Sequence, residues 1–211
     1  EFVSYTLYED GTTEELFGGA LAEILPREWL EDADGRVLSA IQLEILSAEG
    51  AEAAQDMIAG KLGRAFNPES LAVACVLDDQ ALAMSDFRID EGGFTRFALV
   101  VHGRTGPRRV GRLVQRLIEI EVYRTAAMLA LPIARRTAAR LNEIEREMAE
   151  LIDRVAKRER APGHGESEIL TELTGLSAEL ESLAANTAFR FGARGAYEAL
   201  VHQRIESLRE E

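Results

Sequence analysis

The sequence has few of the residues from which catalytic and metal centres are usually built. Its 211 residues include one cysteine, Cys75, and three histidines. A single thiol forms neither an internal disulfide nor a cysteine-based zinc site, and it suits a reducing compartment. We interpret Cys75, in the apolar segment LAVACVL, as a buried structural thiol.

Long hydrophobic runs are also missing. No apolar segment approaches the roughly 18–20 residues that cross a bilayer, and no signal peptide is visible. Hydrophobic residues nevertheless make up 46% of the chain, which is enough to build a core. The composition therefore predicts a globular protein of one large or two small domains.

Acidic and basic residues are unevenly distributed behind the net charge of −13. Residues 1–103 carry 20 acidic and 6 basic side chains, whereas residues 104–140 carry nine arginines and only two acids. Residues 141–211 are acidic again, with 15 acidic and 9 basic side chains. The acidic total, and the lack of aromatic residues between the arginines, argue against a nucleic-acid-binding protein.

Residues 1–103 show the short alternating segments of an α+β domain. Strands are predicted at 1–8, 36–46, 71–77, 81–89 and 94–101, and helices at 13–25 and 49–62. The turn signals DDQ and DEGG join the last three strands, which should form an antiparallel meander. We expect a small, mostly antiparallel sheet of about five strands.

From Pro107 onward, apolar residues recur at spacings of three and four, which is typical of a coiled coil. Two helices, at about 107–159 and 167–211, are separated by a short turn, which predicts an antiparallel α-helical hairpin over 104–211. Pro132 should kink the first helix. A second apolar stripe on that helix requires a further packing partner near its start. The stripe contains Val114, Ile118, Val122, Leu129 and Ile133.

The sequence contains no catalytic signature, so we expect no enzyme activity, cofactor or metal. The predicted hairpin keeps His102, His164 and His202 apart, and no nucleophile, base and acid are arranged as a triad. Four arginines occupy seam positions, where polar residues fix helix register. They are Arg124, Arg190, Arg194 and Arg204.

Arg204 should lie near Glu119 and Glu121 across the hairpin and form an ion pair. Arg190 and Arg194 fall opposite about 130–135, where there is no acid. Pairing with the acidic first domain, contact with another segment and a ligand site all stay open for these two.

Five more arginines gather around the start of the first helix, where the helix dipole makes cations mildly unfavourable. They are Arg104, Arg108, Arg109, Arg112 and Arg116. One interpretation is an anion-binding site, because arginines and helix-start amides together hold phosphate. The other is internal pairing with the acidic first domain.

Several segments resemble a bacterial family of uncharacterised, predicted membrane-anchored proteins, domain of unknown function 3422. The likeness is densest in GFTRF, GPRRVGRLVQRLIEIEVYR, ALPIAR, LTELTGLSAELESL and FRFGARGAYEALVHQRIESLRE. The resemblance implies attachment to the cytoplasmic side of the inner membrane through further sequence, this segment itself being soluble. It also implies that this further sequence covers the wide apolar stripe of the first helix.

Together these features predict a non-enzymatic, membrane-associated scaffold with a coiled-coil stalk. Its partner would be another protein or a second copy, bound through the hairpin. The alternative is a binding module for an anionic ligand, such as a lipid headgroup or a nucleotide, which would use the five arginines at the start of the first helix.

Overall fold

The protein has an α+β fold. A computed structural model describes residues 3–9, 16–18, 35–158 and 166–210. The strands are β1 (Ile41–Ser47), β2 (Ala72–Val76), β3 (Ala81–Ile89) and β4 (Thr95–Val101). The helices are α1 (Ala51–Met57), α2 (Pro107–Met128), α3 (Leu131–Arg158) and α4 (Glu166–Glu210), and a π-helical turn at Ile58–Leu62 follows α1.

The four strands form one mixed sheet in the order β1-β4-β3-β2. The meander of β2, β3 and β4 is antiparallel, as its turns predicted. The prediction of a mostly antiparallel, five-stranded sheet needs correction, because β1 pairs with β4 in parallel and residues 3–9 form no strand. Helix α1 follows β1 in the chain, and the strand next to β1 in the sheet is β4 rather than β2. Most of the predicted helix at 13–25 lies outside the described residues.

Both faces of the sheet are covered. In β4, Phe97 and Leu99 join a core on one side, while Ala98 and Val100 join a core on the other, as the two-residue period of a strand requires. The first core includes Leu113 and Leu117 of α2. The second core includes Ala54 of α1 together with Leu62 and Phe66.

The sheet itself packs against the start of α2. Leu113 and Leu117 are buried on it, and the partly buried Val110 and Val114 lie beside them. The expectation that further sequence would cover this stripe was therefore wrong for Val114. A helix that directly follows a central strand folds back onto the open apolar face of that strand.

The first long helix is interrupted two residues before Pro132. Helix α2 ends at Met128, and Leu129 and Ala130 form a turn in which their amides donate to carbonyls three residues back. Proline has no N–H to donate to the carbonyl four residues earlier, and its ring crowds that position. Pro132 is instead tolerated in the first turn of α3, where the missing N–H costs nothing.

The chain divides into two compact units. One contains residues 1–122 and 202–211, and the other contains Tyr123–Val201. We call them the sheet unit and the helical unit. The boundary between residues 103 and 104 stays a prediction about domain organisation.

Cys75 is exposed, so its prediction as a buried thiol was wrong. It lies in β2, an edge strand in which the first four residues are all exposed. The apolar run around it resembles a buried strand. The burial of such a run depends on where the strand lies in the sheet.

Candidate interaction surfaces

The arginines at the start of α2 divide into engaged and exposed side chains. Arg109 contacts the Asp78 carboxylate at 2.9 Å, and Arg116 donates to the backbone carbonyl of Ser207, also at 2.9 Å. Arg112 also interacts with another residue of the chain. Arg104 and Arg108 are exposed and pair with no acid among the described residues. Internal pairing thus accounts for part of the arginine cluster.

The partner of Arg109 lies in an unusual turn between β2 and β3. Leu77, Asp78 and Asp79 all have positive φ angles, between 53° and 60°. Residues other than glycine seldom adopt this conformation, least of all a bulky one such as Leu77. Leu77 is fully buried in the core beneath α2, and the Asp78–Arg109 ion pair links the same turn to the start of that helix.

The end of α4 packs on the start of α2 within the sheet unit. Arg204 forms the predicted ion pair with Glu119. Leu208 packs against the core that contains Leu113 and Leu117. These contacts, together with Arg116 and the Ser207 carbonyl, attach the last turns of α4 to α2.

Glu121 is buried to 1% exposure, which sequence reasoning did not find. Thr95 Oγ1 of β4 donates a hydrogen bond to Glu121 Oε1 at 2.9 Å. A buried carboxylate is costly unless it is hydrogen-bonded, so this contact helps to hold α2 on the sheet. The signal was present in GFTRF, where Thr95 is a polar residue inside an apolar strand.

The next residue of the same motif, Arg96, lies against aromatic rings. Its guanidinium carbon is 5.5 Å from the ring centroid of Phe17 and 5.7 Å from that of Phe66, within the range of cation–π attraction. Arg96 Nε lies 3.7 Å from Asp90. Asp90 also accepts the amide of Phe94 at the turn that begins the motif. GFTRF is therefore mainly a structural motif, with contacts to both layers that cover the sheet.

A model of proteins of unknown function, DUF3422, matches residues 1–211. The chain belongs to this family. Searches among curated proteins and among solved structures give no significant match. Among the described residues of this DUF3422 protein, no helix is both long enough and apolar enough to cross a lipid bilayer.

In the part of the chain that the structure describes, no group of three or more histidine, cysteine, aspartate or glutamate side chains could hold a metal ion. His164 lies outside the described residues.

In the helical unit of the DUF3422 protein, Arg140 is the centre of a charge network. Its guanidinium contacts Glu179 of α4 through two nitrogens, at 2.6 and 2.7 Å. It also donates to Glu143 and Glu147 of its own helix, each at 2.9 Å. Hydrogen bonds to these carboxylates, above all to Glu179, raise the pKa of Arg140, and the same contact lowers the pKa of Glu179.

The predicted seam arginines of the helical unit have different surroundings. Arg124 is engaged. Arg194 pairs with Glu198, one turn away in its own helix, at 3.4 Å. The prediction from the sequence had considered only partners on the other helix. Arg190 is exposed and forms no ion pair with the described residues.

Large apolar side chains are exposed on the helical unit as well. Phe189 is 79% exposed and Met128 is 49% exposed, and Leu129 and Phe191 are also exposed. The pairs Tyr123–Tyr197 and Arg140–Glu179 place residues 128 and 129 roughly level with Phe191. We call these four residues the apolar patch, although Phe189 and Phe191, two residues apart in a helix, point to different sides of α4.

The Arg140–Glu179 contact predicts a pH dependence of stability. Because the pKa of Glu179 is lower in the folded protein, its contribution is present above the usual pKa of glutamate, about 4.3. It is lost as the pH falls through the folded value. Glu179→Gln should therefore reduce the free energy of unfolding at pH 6 and have a smaller effect at pH 3.

Denaturant unfolding followed by circular dichroism at both pH values would measure this difference. Glu181→Gln is the matched control, because Glu181 is exposed and forms no ion pair with the described residues. An equal effect of Glu179→Gln at the two pH values would contradict the assigned role of the ion pair.

Proposed function

We propose that the chain is a non-enzymatic interaction module that binds a protein partner through the apolar patch of its helical unit. The observation that carries the proposal is that the four large apolar side chains of the patch, two of them phenylalanines, are exposed at about the same level of the helical unit. Aromatic residues and methionine are enriched at protein interfaces, so their exposure favours a binding surface.

The helical unit is best interpreted as an antiparallel, coiled-coil-like hairpin. Contacts between α3 and α4 join Arg140 to Glu179 and Arg154 to Glu172, so that residue numbers rise on one helix as they fall on the other. The buried core between the two helices is small and contains Ile144, Leu151 and Leu176. Two helices joined along a narrow core keep most of their surface available to a partner.

The grooves of the helical unit also favour recognition over catalysis. The first, of about 440 Å³, is lined mainly by arginine, threonine and aliphatic side chains. The second, of about 360 Å³, is lined largely by acidic side chains around Leu151 and Leu176. Both are open grooves between helices, and neither brings together a nucleophile with a base and an orienting group. Membrane attachment, which the family resemblance implies, stays a prediction.

Site-specific photocrosslinking tests the interaction module. A photoreactive phenylalanine analogue at position 189 should give crosslinked products in cells, because this position lies in the proposed binding face. The same analogue at Ile89 is the matched control, since Ile89 is also strongly exposed but lies in the sheet unit. If position 189 crosslinks no more than position 89, the proposed function is wrong.

A second candidate function is binding of an anionic ligand at the start of α2. Arg104 and Arg108 favour it, because both are exposed without an acidic partner among the described residues. Phosphate binds to such arginines and to helix-start amides.

Thermal unfolding in the presence of inorganic phosphate and of nucleotides tests this candidate. A true site predicts a rise in melting temperature that disappears at high salt and in Arg104→Gln/Arg108→Gln. The matched control is Arg36→Gln/Arg64→Gln, since both arginines are exposed and form no ion pair with the described residues. No shift for any anion, or an equal loss in the control, would rule the site out.

A further inference from the structure

The helical unit is divided into two segments of opposite charge. Residues 123–142 and 182–197 form the basic segment, which contains six arginines and no acid. Residues 143–158 and 166–181 form the acidic segment, which contains ten acids and four basic residues. The register of α3 on α4 brings the two parts of each segment to the same level along the pair.

Several charged side chains in these segments form no ion pair with another described residue. They are Arg135, Arg136 and Arg190 in the basic segment and the exposed Glu145 and Glu150 in the acidic segment. Glu150 lies close enough to Arg154 of its own helix for a Coulombic attraction. All five side chains are available to another molecule.

Apolar side chains are exposed in both segments. The basic segment carries the apolar patch, and the acidic segment exposes Ile152 at 64% and Leu170 at 67%. Leu141, near the junction of the two segments, is also exposed. Apolar side chains are therefore exposed along the full length of the unit.

Helix α4 also has room for a close neighbour. Gly192 and Gly195 lie three residues apart on one face, and a Cβ atom at either position would meet nothing within 4 Å. Each interior glycine costs a helix about 1 kcal/mol relative to alanine. No contact within the described unit offsets that cost, whereas small residues allow another helix to approach closely.

We infer that the helical unit binds the helical unit of a second copy of this chain, side by side and antiparallel. This inference rests on the proposed interaction function and names its partner. The basic segment of each copy would lie on the acidic segment of the other. The arrangement has two-fold symmetry, so the same surface of each copy takes part and every contact occurs twice.

The spacing of the segments fits this arrangement. On the α2–α3 side of the unit, the centres of the two segments lie at about residues 132 and 150, roughly 27 Å apart at 1.5 Å per residue. A two-fold axis near residue 141 brings each centre opposite its complement. The same axis places Arg135 and Arg136 of one copy level with Glu147 and Arg146 of the other, and it places Leu141 beside its own copy. Glu145 and Glu150 lie within about one helical turn of these positions.

The charge pattern favours a second copy over an anionic membrane surface. A lipid surface would attract the basic segment and repel the acidic segment beside it. Only a partner with both signs, in the reverse order, is attracted along the whole unit. A second copy has that pattern by symmetry.

Charge exchange between two variants of the full chain tests the inference by sedimentation velocity. The first variant is Arg135→Glu/Arg136→Glu, and the second is Glu145→Arg/Glu150→Arg. The unmodified chain should dimerise at low salt and dissociate at high salt, because exposed ion pairs are screened. Each variant alone should be monomeric with an unchanged circular dichroism spectrum, and an equimolar mixture should form a heterodimer.

Several outcomes would overturn the inference. One is an unmodified chain that stays monomeric up to about 100 μM. Another is a mixture that stays monomeric although each folded variant has lost self-association. A monomer that sediments with phosphatidylserine-containing vesicles would show that the basic segment faces lipid. If position 189 crosslinks to other proteins and never to a second copy, the dimer is wrong but the proposed interaction function is still supported.

Discussion

Two helices packed on each other can bury only one stripe of each, and this limit governs the helical unit. Its largest buried cluster is small and lies around Ile144, Leu151 and Leu176. Apolar side chains outside that stripe, such as Phe189 and Ile152, must face solvent or another molecule. Exposure of this kind lowers solubility and stability unless a partner covers it. Recognition by a partner gives these side chains a physical role.

The sheet unit covers its main apolar faces internally, although Val37 and Ile89 stay strongly exposed. Helix α2 covers one face of the sheet, and α1 with the following π-helical turn covers the other. The buried contact between Thr95 and Glu121, and the ion pair between Arg109 and Asp78, attach α2 to this layered core. Arginines that looked like a ligand site from the sequence are partly accounted for by this attachment.

Local features were predictable from the sequence. The meander strands were located within one or two residues, because turn signals and alternating residues report on neighbouring positions. The ion pair of Arg204 with Glu119 followed from the register of an antiparallel hairpin. Pro132 marked the break between α2 and α3, which lies at residues 129 and 130, just before the proline.

Features that depend on distant contacts were not predictable. Nothing near β1 indicates that it pairs in parallel with β4, about fifty residues later. The exposure of Cys75 follows from the edge position of β2, and the burial of Glu121 follows from a hydrogen bond to a residue 26 positions earlier. The apolar stripe of α2 was recognised, but its partner was the sheet.

The central claim is that association covers the helical unit and leaves the sheet unit unchanged. Hydrogen–deuterium exchange of the full chain at low and high protein concentration measures this most directly. The account predicts that exchange slows at high concentration in peptides from residues 123–158 and 166–197, with no change in β3 or β4. Slowing confined to the sheet, or exchange independent of concentration at low salt, would contradict it.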